Sequence, residues 1–93
     1  MAKLTVYVNR AVRCSAAKQM LIALEIDHDV VDVESTPEAI NFLESQGRDI
    51  KHYPLPQFYV GETLAWVNGF KDIVNLTSVE INQRVEEINA ANP

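Results

Sequence analysis

Apolar positions recur along the chain with two periods. Leu4, Val6 and Val8 alternate with Thr5 and Tyr7, which predicts a strand over 3–8. Ala17, Met20, Leu21 and Leu24 then fall at i, i+3, i+4 and i+7, the stripe of a helix over about 12–25. A short polar turn, Glu25-Ile26-Asp27-His28, leads into Asp29-Val30-Val31-Asp32-Val33, a second strand. Two strands flanking a helix within about 30 residues predict a βαβ unit with parallel strands, a right-handed crossover and the first strand central.

Punctuation residues divide the remainder. Pro37 suits the first turn of a helix, and Ser35 with Glu38 has capping-box spacing. That second helix buries Ala39, Ile40 and Leu43, and Gly47 suits its stop. Residues 48–55 are the least regular part. After Pro56, Gln57-Phe58-Tyr59-Val60 reads as a third strand and Gly61-Glu62 as a two-residue turn. Thr63-Leu64-Ala65-Trp66 returns antiparallel, and Asn68-Gly69 turns again. Phe70 to Leu76 is a short helical segment, and Thr77 with Glu80 forms a capping box for a last helix with Ile81, Val85 and Ile88 on one face. The order is βαβα, then a β-hairpin and C-terminal helices. It predicts one α/β domain over residues 1–93, with a four-stranded mixed sheet and helices on both faces, an order that resembles the thioredoxin-like fold.

Composition narrows the class. The chain has 93 residues, 47% of them hydrophobic and 23% charged, as in an ordinary globular domain. No run of about 18 apolar residues is present, so no membrane partner is expected. The start of the chain has no signal-peptide pattern, and one cysteine excludes an internal disulfide; both point to the reducing cytoplasm. A net charge of −5 disfavours nucleic acid as a partner. The charge is uneven. Residues 1–24 carry Lys3, Arg10, Arg13 and Lys18 and no acid, whereas residues 25–47 carry acids and no Lys or Arg. This reads as a solvated acidic face remote from the basic loop, or as a dipolar surface that orients a partner.

The candidate chemistry lies at the first strand-to-helix junction. Asn9 to Arg13 is the loop, and Cys14 falls in the first helical turn. Unsatisfied N–H groups and the helix dipole favour an anion there, and cysteines so placed have depressed pKa values. Arg10, Arg13 and Lys18 add positive charge, so the stretch has the electrostatics of a reactive-thiol site. His28 and His52 lack partners at metal-ligand spacing and read as surface turn and loop residues; no metal site is expected. Three glycines do not make a phosphate-binding loop, and no serine has a His and acid partner set.

These residues carry a resemblance. Ala11-Val12-Arg13-Cys14-Ser15-Ala16-Ala17-Lys18 resembles the active-site stretch of glutaredoxins, especially NrdH-type redoxins, which read Cys-Val-Gln-Cys, two residues, Thr, Lys. The similarity runs without a gap to Gly47, through Asp32-Val33-Glu34, Pro37-Glu38-Ala39 and Gln46-Gly47. Leu55-Pro56 resembles the pair whose proline is cis and faces the active site, and Trp66 with Gly69-Phe70 resembles Trp-Ser-Gly-Phe. It implies a thiol–disulfide oxidoreductase of electron transport and cell redox homeostasis. Its thiolate at position 11 attacks a disulfide, and the thiol at position 14 resolves the mixed disulfide. Ribonucleotide reductase is the implied partner, and glutathione or thioredoxin reductase the implied electron source. No bound cofactor is implied; glutathione would be a co-substrate, and a monomer is the default. By the same resemblance, Arg10, Val12, Arg13, Lys18, Leu55, Pro56, Gly69, Phe70, Lys71 and Asp72 would bind substrate. The Leu55 backbone would pair with an extended peptide or glutathione.

The departures matter as much. Ala11 stands where the family has its nucleophile, so dithiol reductase activity, and iron–sulfur ligation through that position, are not expected of this chain. Alanine there reads either as a replacement of the nucleophile or as a natural loss that keeps the groove for binding. Cys14 itself reads as the surviving resolving thiol, as a monothiol nucleophile in a registration shifted by three residues, or as a small packed helix residue. Residues 48–54 are longer than the NrdH pattern, and Tyr53 within them either lines the groove or packs. Trp66, Gly69, Phe70 and Asp72 bound the groove or serve the hairpin.

Overall fold

The computed structural model describes residues 1–92. Strand β1 (Leu4–Val8) lies in the middle of a four-stranded sheet of order β2-β1-β3-β4, with β2 (His28–Asp32) parallel to it and β3 (Gln57–Val60) antiparallel. Strand β4 is only Thr63–Leu64; the ladder continues through one further bond, from Ala65 N–H to the Phe58 carbonyl at 2.8 Å. Four helices complete the α/β architecture: α1 (Val12–Ala23), α2 (Pro37–Ser45), α3 (Phe70–Ile73) and α4 (Ser78–Ala91). The helix after the Asn68-Gly69 turn is thus one turn long, not the seven residues to Leu76 that the pattern predicts. Among the described residues no helix is long and apolar enough to cross a membrane.

The alternation in β1 separates two faces. Leu4, Val6 and Val8 are buried on one face, where Val60 and Phe58 stand opposite Leu4 and Val6 in register. On the other face Tyr7 stacks on Phe42 of α2 at 5.6 Å between ring centroids, and Tyr59 meets both rings edge-on. Helix α1 buries Cys14, Ala17 and Leu21, and α4 buries Ile81 and Ile88. Asn89 of α4 clasps the chain before β1, accepting from Ala2 N–H and donating to the Ala2 carbonyl, both at 2.9 Å.

Helix ends follow local chemistry, with one correction. Gly47, at φ 72°, closes α2; its N–H donates to the Glu44 carbonyl and the next N–H, of Arg48, to that of Leu43. Glu25 performs the same turn after α1 at φ 56°, where glycine would be at ease. The Thr77–Glu80 capping box forms in both directions. The Ser35–Glu38 box does not. Thr36 is the cap residue and no side chain caps α2, because Asp32 takes the preceding turn: its carboxylate accepts from Glu34 N–H at 2.9 Å and from the Ser35 hydroxyl at 3.4 Å.

Pairing β1 with β2 also settles the charge asymmetry. Thr5 stands opposite Asp29, which brings Lys3 within 3.4 Å of Asp29 and 3.7 Å of Asp27. Arg10 lies 3.3 Å from Glu34. The acidic stretch is therefore not remote from the basic loop at that point. Its carboxylates neutralise Lys3 and Arg10, and Arg13 is left without an acidic partner among the described residues.

Candidate functional site

Three segments meet at one end of the sheet. The first is the start of α1. Ala11 caps it in extended conformation with no side-chain bond to the first turn, and its own N–H donates to Asn9 Oδ1 at 2.9 Å. Val12 and Arg13 face solvent. Cys14 turns inward and is fully inaccessible, with its thiol donating to the same Asn9 Oδ1 at 3.3 Å. Burial pushes the Cys14 thiol up from its ordinary value; the backbone of Asn9, as distinct from its side-chain oxygen, and the charges of Arg13 and Lys18 oppose this without offsetting it. The low thiol pKa expected from a helix start is thus reversed. The helix dipole acts on a group at the first turn, but here that group has lost its water.

The second segment is the cis peptide Leu55-Pro56 and the loop before it. Arg13 reaches across and donates from Nε to the Leu55 carbonyl, joining α1 to this loop. The loop itself is held from beneath by Gln57, the one buried polar residue among those described. Gln57 Nε2 donates to the carbonyls of Arg48 at 3.0 Å and Tyr53 at 2.9 Å, while its Oε1 accepts from the Tyr59 hydroxyl at 2.9 Å. Arg48 lies over the Tyr53 ring, 4.0 Å from its centroid, and donates from Nη2 to the Val67 carbonyl. His52 Nδ1 pairs with Asp49 at 2.9 Å, which holds the Asp49 carboxyl below its usual range.

The third segment is the turn into α3. Gly69 has φ 59° and ψ −130°, and a β-carbon there would stand 2.6 Å from the Pro56 carbonyl oxygen. Only glycine lets the turn approach the proline loop this closely. Asp72 caps the turn, accepting from the backbone and side-chain nitrogens of Asn68 at 2.9 and 3.2 Å.

These segments enclose an open groove of about 620 Å³. Of the residues singled out from the sequence, Arg13, Tyr53, Leu55, Pro56, Gly69, Phe70 and Lys71 line it. Arg10, Ala11, Val12, Cys14, Lys18 and Asp72 do not: Arg10 is turned to Glu34, Cys14 is sealed in the core, and Asp72 is spent on the Asn68 turn. Trp66 packs edge-on against Phe58 and does not line the groove. Arg48, His52 and Val67 line it and carry no local signal as site residues, because each depends on how the irregular loop before Pro56 folds against the segment after β4. Among the described residues no group of three or more His, Cys, Asp or Glu side chains is placed to hold a metal ion. No protein-family model matches the chain, and no curated protein sequence matches it.

Proposed function

We propose that this chain is a thioredoxin-like domain of glutaredoxin or NrdH-redoxin type, a thiol–disulfide oxidoreductase site in which alanine occupies the nucleophile position. The observation that carries the reading is the meeting of three resembling segments in one place: the start of α1, the cis Leu55-Pro56 loop joined to it by Arg13, and the Gly69 turn against Pro56. The sheet order β2-β1-β3-β4, with β1 and β2 parallel and the later pair antiparallel, supports the same fold.

Disulfide reduction at such a site needs a thiolate at position 11. It attacks one sulfur of the target disulfide and expels the other as a thiolate, leaving a mixed disulfide. The Cys14 thiol, once deprotonated, attacks that bond, frees the substrate's second thiol and closes a disulfide between positions 11 and 14. Two electrons from glutathione or a flavoprotein reductase then restore both thiols. Ala11 removes the first step, so the chain as it stands does not turn over. The raised Cys14 pKa suits a group that waits protonated until the first bond has formed. Ribonucleotide reductase or another disulfide-bearing protein would be the target, in a reducing cytoplasm.

The second reading is a redox-inactive domain that uses the groove to bind a peptide or glutathione. The sealed Cys14 and the absent nucleophile favour it. One experiment separates the two: disulfide reduction by Ala11→Cys beside the parent chain, with glutathione and with thioredoxin reductase. Turnover by Ala11→Cys alone supports the first reading, and the productive reductant names the branch. A folded Ala11→Cys protein inert with both reductants leaves the binding reading.

A further inference from the structure

We infer that the groove selects an acidic, extended segment of a partner protein, and that Arg13 and Arg48 are its receptors. The inference rests on the groove being the working face of the domain and adds the chemistry of what enters it.

Six of the eight Lys and Arg residues divide between ion pairs and the groove; Lys18 and Lys51 lie outside the groove and have no carboxylate within 4 Å among the described residues. Lys3, Arg10 and Arg84 each have a carboxylate within 4 Å: Asp29 at 3.4 Å, Glu34 at 3.3 Å and Glu87 at 3.8 Å. Arg13, Arg48 and Lys71 line the groove, and none has a carboxylate partner among the described residues. Among the described residues no carboxylate lines the groove, in a chain whose net charge is −5. The two nearest in sequence are spent elsewhere, Asp49 on His52 and Asp72 on Asn68. Local positive charge against an acidic whole is charge complementarity confined to one surface.

The two arginines are also held in place. Arg13 gives Nε to the Leu55 carbonyl, and its two terminal nitrogens have no partner among the described residues. Arg48 is stacked on Tyr53 and anchored by Nη2 to the Val67 carbonyl; its Nε is buried, and Nη1 is the nitrogen left without a partner among the described residues. Each guanidinium is fixed by its position in the wall and keeps donors in hand, the arrangement that recognises a carboxylate with little ordering cost. Tyr53, Val67 and Phe70 add apolar surface to the same lining. A segment that carries both acids and aliphatic side chains suits a wall of that mixed character.

The test is an NMR titration of the parent chain with an acetylated, amidated nonapeptide alternating glutamate and valine, and with its glutamine–valine counterpart. The glutamate peptide is expected to bind about tenfold more tightly and to move the Arg13 and Arg48 side-chain resonances and the Gly69 amide. Arg13→Gln and Arg48→Gln should each weaken it about fivefold. Lys3→Gln, the same charge change away from the groove, should leave it unchanged. Equal binding of the two peptides, no saturable shift in the groove, equal weakening by Lys3→Gln, or tighter binding of a nine-residue oligothymidylate each overturns the inference. Turnover by Ala11→Cys on a small disulfide without peptide discrimination sinks only this inference. Discrimination without turnover sinks only the redox reading.

Discussion

A β-carbon on Gly69 would stand 2.6 Å from the carbonyl oxygen of Pro56, so the turn into α3 and the proline loop approach at a distance that only glycine permits. Gly69→Ala meets both that backbone contact and an unfavourable φ of 59°, and should cost on the order of 2–3 kcal/mol. Gly47→Ala is the control. Its φ is 72° but nothing lies within 4 Å, so only the conformational cost of about 1 kcal/mol applies. Urea unfolding midpoints of the two variants measure the difference directly. Equal losses would remove the Pro56 contact from the account.

Alkaline pH should destabilise the domain, beginning with Cys14. Burial raises the folded thiol above the unfolded value of about 8.5, so its contribution is fully present below that pH and is lost as pH rises through the folded pKa. Tyr7 and Tyr59 are raised by burial too, which adds a second loss above about pH 10. Thermal midpoints from pH 7 to 11 should fall in that order. Cys14→Ala should erase the first step and keep the second; an unchanged profile would contradict the buried thiol.

The inverted capping pattern gives a paired test. Thr77→Ala removes a hydroxyl that accepts from Glu80 N–H at 3.2 Å and should cost about 1 kcal/mol. Ser35→Ala touches no helix amide and should stay within about 0.5 kcal/mol of the parent. Chemical denaturation reads both, and a larger loss at Ser35 would restore the box that the spacing predicts.

Tyr59→Phe strips the donor from Gln57 Oε1 and leaves that buried oxygen unpaired, at a cost of about 1–3 kcal/mol. Because Gln57 also holds the carbonyls of Arg48 and Tyr53, amide exchange in residues 48–53 should quicken more than in α4. Uniform quickening would mean that Gln57 does not organise the loop.

Much of the architecture is written in local pattern. The alternation of Leu4, Val6 and Val8, the helical stripe from Ala17 to Leu24, Gly47 after α2 and the Thr77–Glu80 box depend on residues within a turn or two of each other. So does the placing of Cys14 in the first turn of α1. Tertiary structure alone decided the rest. It reversed the expected state of Cys14, since the desolvation that raises its pKa comes from everything packed around α1. It paired Arg10 with Glu34 and left Arg13 to the Leu55 carbonyl, 42 residues away. It brought Arg48 to the Val67 carbonyl, 19 residues on, and so made an irregular loop into the wall of a groove. Periodicity reports what a residue's near neighbours share, whereas burial and hydrogen bonds between distant segments depend on which surfaces meet once the chain has closed.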